Sequence, residues 1–140
     1  MVHIGLDVGS TTVKLVALDE EKNTIYESYQ RHYSDIHKTM REIFEDCREI
    51  LPPGDVTVAA TGSGGLSVHK DLGIAFVQEV MAGKVAIDAL IPQTDVAIEL
   101  GGEDSKITYL KGSIEQRMNS ICAGGTGAFI DQMASLLQTD

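Results

Sequence analysis

The sequence predicts an α/β fold in which one arrangement of strands and helices is written twice, the second time cut short. Three observations carry that expectation. A short phrase recurs: Asp7-Val8-Gly9-Ser10-Thr11-Thr12-Val13-Lys14-Leu15 returns 92 residues later as Glu99-Leu100-Gly101-Gly102-Glu103-Asp104-Ser105-Lys106-Ile107. Each copy lies between apolar runs, so each reads as strand, glycine turn, strand. Segments with helical spacing follow the strands in both halves, an order that belongs to mixed α/β architectures.

The elements follow in order. Val2, Ile4, Leu6 and Val8 alternate with His3, Gly5 and Asp7, a half-buried strand. Val13 to Asp19 and Thr24 to Tyr29 continue as strands around the charged turn Asp19-Glu20-Glu21-Lys22-Asn23. Ser34 or Asp35 is the expected N-cap of a helix whose apolar positions are Ile36, Met40, Ile43, Phe44, Cys47, Ile50 and Leu51. Pro52-Pro53-Gly54 ends it. Val56 to Ala60 is a short apolar strand, expected parallel to the first. Thr61-Gly62-Ser63-Gly64-Gly65 turns into a short helix, Ala75-Phe76-Val77 is a further strand, and Gln78 to Leu90 is a helix. After Pro92 the pattern restarts: strands 94–100, 106–110 and 114–118, then a glycine cluster and a helix near 125–138. The expected halves are therefore 1–91, complete, and 92–140, truncated.

Composition narrows the function classes. A chain of 140 residues buries one respectable core. A net charge of −10 leaves no basic patch to neutralise phosphates, so no nucleic-acid partner is expected. No apolar run is long enough to span a bilayer, and MVHIGLDVGS lacks the layout of a signal peptide. Two cysteines, Cys47 and Cys122, make no disulfide framework, which fits a reducing, cytoplasmic setting.

The repeated phrase is the main candidate for chemistry. Asp7 ends the first strand, where a carboxylate can bind Mg²⁺ directly or through its waters. Gly9, Ser10, Thr11 and Thr12 offer N–H and hydroxyl donors to phosphate, and Lys14 can reach the same charge. Asp and Gly also form ordinary turns. In the second copy Glu99, Gly101, Gly102, Asp104, Ser105 and Lys106 form a second candidate grip, with an acidic group able to orient an attacking water. Gln78-Glu79 either lines a cleft or begins a helix with dipole-favoured acid. The 61–65 turn either borders a nucleotide or simply enters its helix. Cys122, in Asn119-Ser120-Ile121-Cys122-Ala123-Gly124-Gly125-Thr126-Gly127, stands just ahead of a helix N-terminus, which favours thiolate. It is either a metal ligand or a small buried turn residue. Cys47 lies on an apolar stripe and is expected in the core. His3, His32, His37 and His69 share no metal-binding spacing.

Taken together, Asp7 to Lys14, Glu99 to Lys106 and Asn119 to Met133 (NSICAGGTGAFIDQM) resemble the BadF/BadG/BcrA/BcrD-type ATPases, the activators of 2-hydroxyacyl-CoA dehydratases and benzoyl-CoA reductases. The resemblance runs over essentially the whole chain. It implies the actin/Hsp70/sugar-kinase (ribonuclease H-like) fold. It also implies a homodimer sharing one [4Fe-4S] cluster, in which ATP hydrolysis with Mg²⁺ drives a low-potential electron to the dehydratase or reductase component. By motif match, Asp7, Gly9, Ser10, Thr11, Thr12 and Lys14 are the first phosphate loop, with Asp7 also the Mg²⁺ residue. Gly101, Gly102, Asp104 and Lys106 are the second, Asp7 and Asp104 carry the catalytic roles, and Cys122 is the first cluster ligand. The helix after Cys122 is the lever between nucleotide and cluster. Glu103 stands where the family usually has Gln, adding negative charge beside phosphate, and Ala123-Gly124-Gly125 is looser than the familiar cluster segment. The expectation for this stretch alone is weak ATP binding and no complete cluster. Two alternatives remain open on the residues: a sugar-kinase-like phosphotransferase without redox work, and a non-catalytic ATP-binding interaction domain.

Overall fold

A computed structural model describes residues 1–119 and 125–139 of the chain. They form two compact units, Met1–Ala82 and Gly83–Asp140.

The first unit is a five-stranded sheet of β1 (Val2–Val8), β2 (Thr12–Leu18), β3 (Thr24–Arg31), β4 (Val56–Thr61) and β5 (Ala75–Phe76), in the order β3-β2-β1-β4-β5. β1 pairs antiparallel with β2 and parallel with β4, as the sequence leads one to expect. The two-residue period explains the core. Ile4 faces Ala17, Leu6 faces Leu15 and Val8 faces Val13 on one side of the sheet, and all six are buried. On the other side lie His3, Gly5, Asp7, Lys14 and Val16. Helix α1 (Ile36–Ile50) closes the apolar side with Met40, Ile43 and Cys47, and α2 (Gly65–Leu72) adds Val68 to the same core.

Asp35 is the residue that caps α1: its carboxylate accepts from the Lys38 N–H at 3.1 Å. The helix stops at Leu51, whose N–H reaches the Cys47 carbonyl at 3.1 Å, with Pro52 next. Cys47 is fully buried, as expected of a core residue, and burial pushes its thiol pKa up. Ile50 departs from the expected stripe. It is the last residue of the helix and is 58% exposed. Helix α3 (Glu79–Leu90) contains the division between the units and leaves Met81, Val85 and Leu90 exposed.

The second unit contains an antiparallel sheet in the order β6-β7-β8: β6 (Val96–Leu100), β7 (Ser105–Tyr109) and β8 (Glu115–Met118). Helix α4 (Gly127–Leu137) follows. The order hairpin, third strand, helix thus occurs in both units. No helix among the described residues is long and apolar enough to cross a membrane.

Candidate functional site

The two copies of the repeated phrase fold into the same turn. In the first unit, Asp7 on β1 and Lys14 on β2 are ladder partners, and Lys14 Nζ lies 2.7 Å from Asp7 Oδ2 with both side chains one-third exposed. The Gly9 N–H donates to the Thr12 carbonyl at 2.9 Å, closing the bend between them. In the second unit, Glu99 and Lys106 are ladder partners at the same register, and the Gly101 N–H donates to the Asp104 carbonyl at 2.8 Å. Residue spacing accounts for the match. An acid and a lysine seven apart on a hairpin face each other across it, and opposed charges on one face attract.

Around the first bend, Ser10 is exposed, Thr11 and Gly9 are partly exposed and Thr12 is buried. Lys14 also sits over the Tyr29 ring, 5.3 Å from its centroid. A Cβ on Gly9 would meet nothing nearer than 3.4 Å, so the protein itself leaves room there.

Two further segments hold this bend, and sequence reasoning missed the role of both. His32, just past β3, is buried. Its backbone N–H donates to Thr11 at 3.2 Å and its Nε2 reaches the Gly9 carbonyl at 3.2 Å. The Ser34 N–H donates to Nδ1 at 3.1 Å, so Nδ1 is the acceptor and Nε2 carries the proton. No spacing among the histidines signals this, because the partner is a backbone carbonyl 23 residues away. The second segment is the Thr61-Gly62-Ser63-Gly64 turn at the end of β4. Gly64 N–H donates to the Val8 carbonyl at 2.8 Å. Gly62 has φ +88°, and a Cβ there would fall 2.4 Å from Asp7 Oδ1 and 2.5 Å from the Val8 carbonyl oxygen. The glycine pair in this turn was a visible signal; its destination against Asp7 was not.

In the second unit the bend is tied to the helix that follows. The Gly127 and Ala128 N–H groups, two of the free donors that begin α4, donate to the Gly101 and Gly102 carbonyls at 2.9 and 2.8 Å. Asn119 and Ser105 bond reciprocally: the Ser105 N–H reaches Asn119 Oδ1 at 3.1 Å and the Asn119 N–H reaches the Ser105 carbonyl at 3.0 Å. Glu103 and Asp104 are exposed on the bend. Gln78 lies exposed just before α3.

No cluster of three or more His, Cys, Asp or Glu side chains able to hold a metal occurs among the described residues. That composition does not suit an all-protein cage. It does suit Mg²⁺, which keeps most of its waters and takes one or two carboxylates plus phosphate oxygens. Asp7 at the end of β1 is one such carboxylate, and beside it on β4 Thr61 carries a buried hydroxyl with no hydrogen-bond partner among the described residues. For an iron-sulfur cluster, the expected ligand Cys122 lies outside the described residues. Cys47, packed in the core of the first unit, is no ligand for it.

The chain is similar in sequence to curated relatives and in fold to solved structures. The activator of lactoyl-CoA dehydratase from Anaerotignum propionicum is 31% identical over 146 residues, covering 99% of this chain and 55% of the relative. The (R)-2-hydroxyglutaryl-CoA dehydratase activating ATPase of Acidaminococcus fermentans is 30% identical over 142 residues, covering 96% and 53%. The structure of the activator of the 2-hydroxyisocaproyl-CoA dehydratase from Clostridium difficile with bound ADPNP superposes with a TM-score of 0.82 at 26% identity, covering all of this chain and 53% of that one. The chain spans about half the length of the curated relatives it matches. With residues 4–140 matching the family profile and the actin-like fold expected from its motifs, the chain belongs to the BadF/BadG/BcrA/BcrD ATPase family.

Proposed function

We propose that the protein is an ATP-dependent activator of a 2-hydroxyacyl-CoA dehydratase-type enzyme, and that this chain supplies its two phosphate-gripping bends. The observation that carries the reading is the repeated turn: an acid and a lysine in register, a glycine N–H bonded three residues on, made once in each unit. The sequence halves 1–91 and 92–140 each contribute one such bend, and in this reading each binds nucleotide phosphate.

The roles follow from the groups present. Gly9, Ser10, Thr11 and Thr12 bind phosphate at the first bend, and Gly101 and Gly102 bind phosphate at the second. Lys14 and Lys106 neutralise phosphate charge. Asp7 holds Mg²⁺ through its waters, and Asp104 orients the attacking water. When bound, the cation supplies charge neutralisation between phosphate oxygens. His32 fixes the carbonyls of the first bend, so its N–H groups keep their direction as the anion arrives.

The same reading carries the nucleotide state to the redox partner. The Gly101 and Gly102 carbonyls are bonded to the first N–H groups of α4, so a shift of the bend moves the start of that helix. Cys122, five residues before Gly127, is the proposed ligand to a [4Fe-4S] cluster shared by two copies of the complete protein in a reducing cytoplasm. The electron acceptor is the dehydratase or reductase component.

Titration of the complete protein with Mg-ATP tests the first step. Lys14→Met and Lys106→Met are each expected to weaken binding about tenfold or more, the loss of a hydrogen bond to a charged group. Unchanged affinity in both variants rejects the nucleotide reading. Anaerobic reconstitution tests the second: iron and sulfide are expected in the complete protein and lost in Cys122→Ala. An iron-free wild type with kinase activity favours the phosphotransferase alternative.

A further inference from the structure

Thr61 ends β4 as the ladder partner of Asp7, on the side of the sheet away from the core. Side chains paired this way on that face meet: His3 and Thr57, two rungs earlier, bond at 2.7 Å. Yet Thr61 Oγ1 is buried and has no hydrogen-bond partner among the described residues. Leaving a buried hydroxyl unmade costs about 1–3 kcal/mol, so such a group is retained for a reason outside ordinary packing. Its surroundings point to that reason. The next residue, Gly62, lies so close to Asp7 that any Cβ would strike Oδ1, and Gly64 bonds the carbonyl of Val8. The 61–64 turn thus wraps the carboxylate from the side opposite Lys14, which holds the other oxygen, Oδ2, at 2.7 Å.

We infer that Thr61 is a positioning residue for the divalent cation that accompanies the nucleotide: its hydroxyl bonds a water of the cation's shell while Asp7 takes the charge. A hydroxyl both donates and accepts, so it can hold a metal-bound water that is itself fixed by a carboxylate. The inference rests on the nucleotide reading above and adds a residue to it. The turn therefore borders the guest rather than merely entering α2.

The test uses the complete protein with Mn²⁺ and ADPNP, metal binding being followed by electron paramagnetic resonance. Thr61→Val keeps the shape and removes the hydroxyl; Thr61→Ser keeps the hydroxyl. Thr61→Val is expected to weaken Mn²⁺ binding in the ADPNP complex about three- to tenfold, the worth of one hydrogen bond. ADPNP affinity in EDTA is expected to stay unchanged, and Thr61→Ser to restore the metal affinity. The melting temperature of Thr61→Val is expected to hold or rise, since an unsatisfied buried group is gone. Metal affinity within twofold of wild type in Thr61→Val, or equal losses with and without metal, overturns the inference. Asp7→Asn separates the two levels. If it too leaves metal-supported binding intact, the nucleotide reading fails; if it abolishes binding while Thr61→Val does nothing, only the role of Thr61 falls.

Discussion

At the scale of single residues, the first bend is held by groups whose function is to fix other groups. Gly62 is the strictest. Its φ of +88° and its contact with Asp7 and Val8 exclude any side chain. Gly62→Ala is expected to cost more than about 2 kcal/mol, from left-handed strain and displaced backbone together. Chemical denaturation measures it, and a loss under about 0.5 kcal/mol contradicts the geometry. His32 is the second such group. Replacing it with Ala removes the donor to the Gly9 carbonyl, and the expected result is weaker nucleotide binding with intact secondary structure, read by titration alongside circular dichroism. A variant that binds normally shows that the bend keeps its shape without the ring.

At the scale of elements, local signals and burial agree. Helix α1 forms because Asp35 caps it and because Met40, Ile43 and Cys47 fall on one face over the sheet. Asp35→Ala is expected to lower stability by about 1 kcal/mol, the usual worth of an N-cap, in a urea melt. The β2–β3 turn is pinned by Asp19, whose carboxylate accepts from the Asn23 side-chain amide at 3.0 Å and from its backbone N–H at 2.8 Å. The amide of Asn23 is the first cause holding the Asp19 pKa below its ordinary value, and the Asn23 N–H the second. A depressed folded-state pKa stabilises the fold above the unfolded value, near pH 3.9, and that stability is lost as pH falls through the folded value. Wild type is therefore expected to melt higher than Asp19→Asn near neutral pH, with the two converging in acid below about pH 4. A gap that persists unchanged into acid assigns the difference to something other than this carboxylate.

At the scale of the whole molecule, charge and apolar exposure oppose each other. The chain carries a net charge of −10, while Ile98, Leu100, Ile130, Leu136 and Leu137 in the second unit are mostly exposed. Exposed apolar area promotes association, and like charge resists it over a Debye length that shrinks with salt. The 140-residue chain is expected to self-associate more as NaCl is raised from low to molar concentration, with light scattering as the measure. Association that falls with salt would assign the contacts to ion pairs instead.

Every helix and strand among the described residues was legible in one dimension, because periodicity, caps and breakers act between residues close in sequence. The repeated phrase was legible too, with its family, since spacing alone puts an acid and a lysine on facing rungs of a hairpin. Tertiary structure alone decided what surrounds those bends. The ring of His32 on Gly9, the Gly62 turn against Asp7, the buried hydroxyl of Thr61 and the seating of α4 on Gly101 and Gly102 join segments between 23 and 55 residues apart. Such contacts depend on which strands become neighbours. They run largely through backbone groups that every residue carries, and so leave little mark on the choice of side chain.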